Sequence, residues 1–147
     1  MRRALAALVL VLGAASCQHF SLERLPSAVD RNESVTPGGV RCRDLFVGDG
    51  PVASAGDTLL VDYTIWLVDG ARVDSTLDRG VPLEIVLGAA PLEGLDQGLA
   101  GMRPGGRRRL HVPSALAYGS KGVEDMIPPD AALEIEVHVL EVRPKSP

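Results

Sequence analysis

Between Thr58 and Val68 the chain alternates: Leu59, Val61, Tyr63, Ile65 and Leu67 are apolar, while Thr58, Asp62 and Thr64 are polar. A period of two belongs to a strand with one buried face. Trp66 falls on the polar side and is expected at an edge or under a loop. The same alternation returns in Ala132–Val142, where Leu133, Ile135, Val137 and Val139 interleave with Glu134, Glu136 and His138. Asp69-Gly70 marks a hairpin turn that tolerates positive φ, and a return strand is expected over Arg72–Ser75. Further strands are expected over Val40–Val47, closed by Gly48-Asp49-Gly50-Pro51, over Val81–Leu87 and over Arg107–Val112. One segment has a different period. Leu92, Leu95, Leu99 and Met102 recur at helical spacing, so Leu92–Met102 is read as one short helix. Gly94 and Gly98 lie inside it and weaken it, so it depends on packing. An antiparallel meander with one short amphipathic helix predicts an α+β half-barrel, a curved sheet wrapped around the helix. A site is then expected between helix and sheet, on the concave side.

The first residues follow another logic. Met1-Arg2-Arg3 is basic, Ala4–Ala15 is apolar, and Ser16-Cys17 follows. A charged start, an apolar run of about a dozen residues and small residues before a break describe a secretory signal over residues 1–16. The run is shorter than the ~20 residues of a membrane-spanning helix. Ala14-Ala15-Ser16-Cys17 resembles a bacterial lipobox, with Ala where Leu is commoner, which makes Cys17 the lipidation site and anchors the chain to a membrane. Ordinary cleavage near Ala15 or Ser16 would instead leave Cys17 a plain thiol. Residues 17–38 lack periodicity and read as a flexible tether, and a monomer is expected. The folded domain is expected over residues 39–147. Cys42, the other cysteine, is expected to be a small buried hydrophobe; a Cys17–Cys42 disulfide is the alternative.

With 46% hydrophobic residues in 147, one domain with a real core is expected. A net charge of −4 argues against nucleic acid as a partner. Arg107-Arg108-Arg109 resembles a basic patch, but alternation puts Arg107 and Arg109 beside His111, opposite the outward Glu134 and Glu136, as a solvated face with cross-strand pairs. The three His lack metal-ligand spacing, and Ser75 and Ser114 lack a Gly-x-Ser-x-Gly elbow, so neither a metal, a cofactor nor a serine nucleophile is expected.

Five stretches in order, VDYTIWLVDGARVDST, PLEIVLG, EGLDQGLAGMRPGGRRRLHVP, LAYGSKG and MIPPDAALEIEVHVLEV, resemble the FKBP-type peptidyl-prolyl cis-trans isomerase domain. They lie between residues 61 and 142. The resemblance implies isomerisation of X-Pro bonds in Pro-containing polypeptides. It implies catalytic roles for Tyr63, Asp74, Tyr118 and Ile127: Tyr63 as the pocket tyrosine, Asp74 as the pocket carboxylate, Tyr118 as hydroxyl donor and Ile127 as backbone amide donor. It further implies substrate contacts for Val73, Arg79, Leu83, Leu92, Leu95, Met126 and Ile135, with Arg79 pairing to Asp74. Taken without the resemblance, Asp74 and Arg79 would read as a surface ion pair and Tyr63 as a core tyrosine.

The departures matter as well. Val73, Leu83, Leu95 and Ile135 stand where the family often has Phe, Phe, Trp and Phe, and the chain has only five aromatic residues in all. Val123-Glu124-Asp125 replaces a His-Pro-Gly-like sequence, and one residue fewer between Gly88 and the helix leaves Pro91 unassigned. Weaker, less selective catalysis and poor affinity for the family's macrocyclic inhibitors are expected. The rival expectation is a binding module or chaperone for Pro-containing segments that has lost useful turnover.

Overall fold

The structure, a computed structural model, describes residues 32–147. The expected signal, Cys17 and most of the tether lie outside the described residues. Seven antiparallel strands form one sheet: β1 (Glu33–Val35), β2 (Arg41–Phe46), β3 (Thr58–Leu67), β4 (Arg72–Ser75), β5 (Leu83–Val86), β6 (Arg107–Val112) and β7 (Leu133–Arg143). Their spatial order is β1-β2-β6-β7-β3-β4, and β5 shares the outer edge of β3 with β4. The alternation read from the sequence is the burial pattern found. Leu59, Val61, Leu133, Ile135, Val137 and Val139 are at most 1% exposed, and Leu110 and Val112 of β6 join them at 0%. The outward rows pair as charge predicts, with Arg109 donating to Glu136 at 2.8 Å and His111 hydrogen-bonded to Glu134 at 2.5 Å.

The helix α2 (Glu93–Leu99) buries Gly94, Leu95, Gly98 and Leu99 against the sheet. Its two glycines explain the fit. A Cβ on Gly94 would lie 2.2 Å from Val112 Cγ1, and one on Gly98 would lie 2.5 Å from Leu110 Cδ1. The helix therefore lies closer to β6 than any residue with a side chain would allow. Arg108, the middle of the three arginines, is only 14% exposed and works from the other side of its strand. It donates to the Gly98 and Ala100 carbonyls at 2.8 and 3.2 Å, closing the C-terminus of α2, while Asp44 holds its guanidinium. Charge and hydrogen bonding at a helix C-terminus act together there.

Three features differ from the sequence expectation. Residues 33–35 belong to β1, so the tether does not extend to 38; Thr36 Oγ1 and the Gly38 amide both donate to Gln97 Oε1 of α2, at 2.6 and 3.0 Å. A three-residue edge strand is too short to carry a period. Residues 76–79, read as loop, form one helical turn, α1 (Thr76–Arg79), capped by the Ser75 hydroxyl and ended by Gly80 at φ 67°. Strand β7 carries a bulge: Leu60 pairs with Glu141 and Val61 with Val139, so Leu140 is the extra residue. Cys42 is buried as expected, and burial pushes its thiol pKa up. Among the described residues no helix is long and apolar enough to cross a membrane.

Because Val112 is β-branched, fully buried and unable to turn aside, and the Leu116 carbonyl oxygen would also lie only 3.1 Å from the added Cβ, Gly94→Ala is expected to destabilise the fold by about 1–2 kcal/mol. The gain in helix propensity, ~1 kcal/mol, is outweighed. A urea midpoint equal to or above that of the wild type would show that α2 does not depend on this approach.

Candidate functional site

A cavity of about 460 Å³ opens between β3–β5, the start of α2 and the segment 118–127. Its apolar walls include Ile65, Val73, Leu83, Leu92, Leu95 and Ile127. The odd positions of β3 deliver Tyr63 and Ile65 to one wall, and the β3–β4 hairpin sets Asp74 opposite Ile65. Asp96 accepts from the Gly88 and Ala90 amides at 2.9 and 3.2 Å. That fixes the loop preceding Pro91 and Leu92, both of which reach the cavity.

Three side chains close a ring at its edge. Tyr63 donates its hydroxyl proton to Asp74 Oδ2 at 2.7 Å. Arg79 donates from Nη1 to Asp74 Oδ1 at 2.7 Å and from Nη2 to the Tyr63 hydroxyl at 2.8 Å. The Ser75 amide adds a fourth bond to Oδ1 at 2.8 Å. The turn α1 makes this possible, since it folds Arg79 back over the Tyr63 ring, 5.8 Å from its centroid. Beneath it, the buried Thr76 hydroxyl accepts from the Tyr63 amide and donates to Asp62.

Electrostatics follow from these contacts. Partial burial would raise the Asp74 pKa, but the hydrogen bonds from Tyr63, Arg79 and Ser75 outweigh it and hold the carboxyl below its ordinary value. Burial, with the Asp74 carboxylate, pushes the Tyr63 phenol up. Arg79 is raised by its bonds to Tyr63 and Asp74. The ring thus keeps one arrangement of protons and charges across the neutral range. Tyr118 lies at the mouth and makes no hydrogen bond through its hydroxyl among the described residues, so that donor is available.

Of the residues expected at the site, Tyr63, Val73, Asp74, Leu83, Leu92, Leu95, Tyr118, Met126 and Ile127 meet in this cavity. Two do not line it. Arg79 stands behind Asp74 and Tyr63 and is half exposed, so it positions them and makes no wall. Ile135, paired with Ile65, is 0% exposed in the core beneath. The Ile127 amide is not the available donor either: it donates to the Val123 carbonyl at 2.8 Å, while the Val123 amide donates to the Ile127 carbonyl at 2.8 Å. The Leu92 amide, just ahead of α2 at the cavity wall, makes no hydrogen bond among the described residues and is a free backbone donor there.

Sequence reading missed Ile65, Pro91, Val123 and Gly122. Ile65 shares the face of Tyr63, a signal in plain view. Gly122 has φ 59°, and a Cβ there would lie 2.2 Å from the Ile127 carbonyl oxygen, so it lets segment 118–127 fold tightly over the cavity. Among the described residues no cluster of His, Cys, Asp or Glu is placed to hold a metal.

A family model described as FKBP-type peptidyl-prolyl cis-trans isomerase matches residues 50–140. The chain belongs to that family. An FK506-binding protein of Neisseria meningitidis serogroup B is 44% identical over 106 residues, which are 71% of this chain and 97% of the relative. One from Streptomyces anulatus is 41% identical over 102 residues, covering 65% of this chain and 82% of the relative. Among solved structures, FkpA from Escherichia coli superposes with a TM-score of 0.72 at 32% identity, over 81% of this chain and 55% of FkpA. AtFKBP13 gives 0.67 at 34%, over 74% and 97%. The FKBP-type activity is therefore that of a peptidyl-prolyl cis-trans isomerase.

Replacing Asp74 by Asn removes the charge that the ring organises, and is expected to lower kcat/KM on an X-Pro peptide about tenfold, the scale of one charged hydrogen bond. The wild-type rate is expected to be flat from about pH 6 to pH 9, because the folded Asp74 titrates below its ordinary carboxylate range. Stability follows the same sign. The contribution of Asp74 is complete above its unfolded pKa and is lost as pH falls through the lower folded value. The urea-midpoint difference between wild type and Asp74→Asn is thus expected at neutral pH and to vanish in acid. A difference that persists in strong acid would show that the charge is not its source.

Proposed function

We propose that this isomerase is a lipid-anchored envelope enzyme that accelerates X-Pro rotation while exported proteins fold, working as a monomer on Pro-containing polypeptides. Its domain faces the periplasm, with Cys17 in the membrane. The support is the basic start, apolar run and lipobox-like Ala14-Ala15-Ser16-Cys17 of the sequence, with the polar stretch that follows. The catalytic half of the proposal is carried by one observation: a mainly apolar cavity whose wall bears a fixed carboxylate and whose two nearby donors are unpartnered.

Rotation about an X-Pro bond meets a barrier of ~18–20 kcal/mol and needs neither nucleophile nor cofactor. The planar amide is polarised by resonance, with negative charge on its oxygen; the twisted form loses that resonance. Entry into an apolar cavity therefore disfavours the planar form more than the twisted one. The Asp74 carboxylate adds to this, because an anion at the wall repels the more negative oxygen of the planar amide. The Leu92 amide and the Tyr118 hydroxyl hold the flanking carbonyls and keep the peptide in a turn compatible with twist. Each ~1.4 kcal/mol of such differential binding is worth about tenfold in rate.

The aliphatic residues Val73, Leu83 and Leu95 favour a second outcome, a module that binds Pro-containing segments with little turnover. Cis-trans exchange of X-Pro peptides decides between them. Acceleration that falls in Asp74→Ala and in Tyr118→Phe is expected; equal, near-background exchange in all three proteins would leave the binding module. Anchoring has its own test. Metabolic labelling with a radioactive fatty acid in a bacterial host is expected to mark the full chain and to spare Cys17→Ser, whereas an unlabelled wild type would mean ordinary cleavage.

A further inference from the structure

The prolyl cavity does not end at its own walls. Val123, Met126 and Ile127 also line an adjoining hollow of about 460 Å³, whose further apolar lining is Leu67, Pro128 and Pro129. Leu67 and Pro128 in turn lead to a third hollow beside Asp69, Ala131 and Ala132. The three form one trough running from the proline site toward the β3–β4 hairpin.

Its charge is asymmetric. Glu124, Asp125 and Lys121 border the second hollow and Asp69 the third, three carboxylates against one ammonium. Glu124, Asp125 and Lys121 make no hydrogen bond or ion pair among the described residues. Glu124 and Asp125 project from a tight turn in which the Val123 carbonyl accepts from both the Met126 and Ile127 amides, at 3.0 and 2.8 Å, with Asp125 held at φ 61°. The turn keeps two free carboxylates beside an apolar floor, next to the place where the proline is held.

We propose that this trough takes the substrate segment on one side of the proline, and that Glu124 and Asp125 make the enzyme favour substrates carrying Lys or Arg there. This rests on the isomerase reading of the prolyl cavity and names its substrate class. A lysine or arginine stem lies along Leu67 and Pro128 while its charge meets the turn, and a second carboxylate in that position meets like charge. Both partners stay in contact with water, so the effect is bounded by that of exposed ion pairs.

The test compares kcat/KM on X-Pro peptides that differ only by Lys or Glu two or three residues from the proline, on each side in turn. A Lys preference of about three- to fivefold is expected on one side only, falling toward one in high salt. In the double variant Glu124→Gln, Asp125→Asn, which keeps side-chain size and an Asn at the left-handed position, the Lys-to-Glu ratio is expected to fall to about one. No preference in the wild type, an equal preference on both sides, or one that survives in the double variant would overturn the proposal. If no peptide is accelerated, the isomerase reading has failed separately. The Lys-to-Glu ratio of dissociation constants from calorimetric titration of the same peptides then decides this proposal by the same criteria.

Discussion

The close approach of α2 to β6 is the contact on which the site depends. Gly94 and Gly98 leave no side chain between the helix and Val112 and Leu110. Seven residues of helix with two glycines would not persist alone in water. What holds it is burial on one face together with polar ties on the others. Arg108 closes its C-terminal carbonyls, Gln97 binds the segment leading to β2, and Asp96 binds the loop before it. The Asp96 tie also orders the loop that brings Pro91 and Leu92 to the cavity, and Leu95 of the helix lines it, so what holds the helix holds one wall of the site.

The ring of Tyr63, Asp74 and Arg79 works on a different scale. Its ion pair is half exposed, so its direct contribution to stability is small. What it fixes is direction. An unheld carboxylate at a cavity edge would turn toward water and soften the wall. Three hydrogen bonds, from Tyr63, Arg79 and the Ser75 amide, leave Asp74 one orientation, and the charge it presents barely changes between mildly acid and mildly basic conditions. The surface reading of the pair and its site reading are therefore both correct, for different residues: Arg79 belongs to the surface, Asp74 to the cavity.

The strands were legible because alternation is a two-residue signal repeated many times, and Arg72–Ser75 and Arg107–Val112 fall where that pattern puts them. Cross-strand charges were legible for the same reason. What escaped has a common cause, in that it depends on single hydrogen bonds with no period. The three residues of β1 lead into a segment tied to Gln97, the single turn of α1 rests on its own Ser75 cap, and the role of Arg108 is set by Asp44 and the Gly98 carbonyl; no repeating pattern announces any of them. The Ile127 amide is the sharpest instance. Its residue type and place in the resemblance pointed to a donor for substrate, while the five-residue turn from Val123 to Ile127 uses that donor internally.

Exchange of aromatic for aliphatic residues separates two requirements of prolyl isomerisation that aromatic walls satisfy together. One is exclusion of water, which weakens the planar amide and follows apolar surface; Val73, Leu83 and Leu95 meet it as well as rings do. The other is grip, a rigid surface whose shape fixes the prolyl ring while the bond turns. Ile135 bears on neither, because it is buried beneath the cavity and not on its wall. On the proposed mechanism aliphatic walls grip the ring less than aromatic ones, and orientation then comes from the two donors and from contacts along the chain beyond the proline. A trough with an apolar floor and a charged border, joined to the cavity through Met126 and Ile127, is a physical place for such contacts. In this chain the selectivity withdrawn from the walls is best sought in the residues that flank the proline.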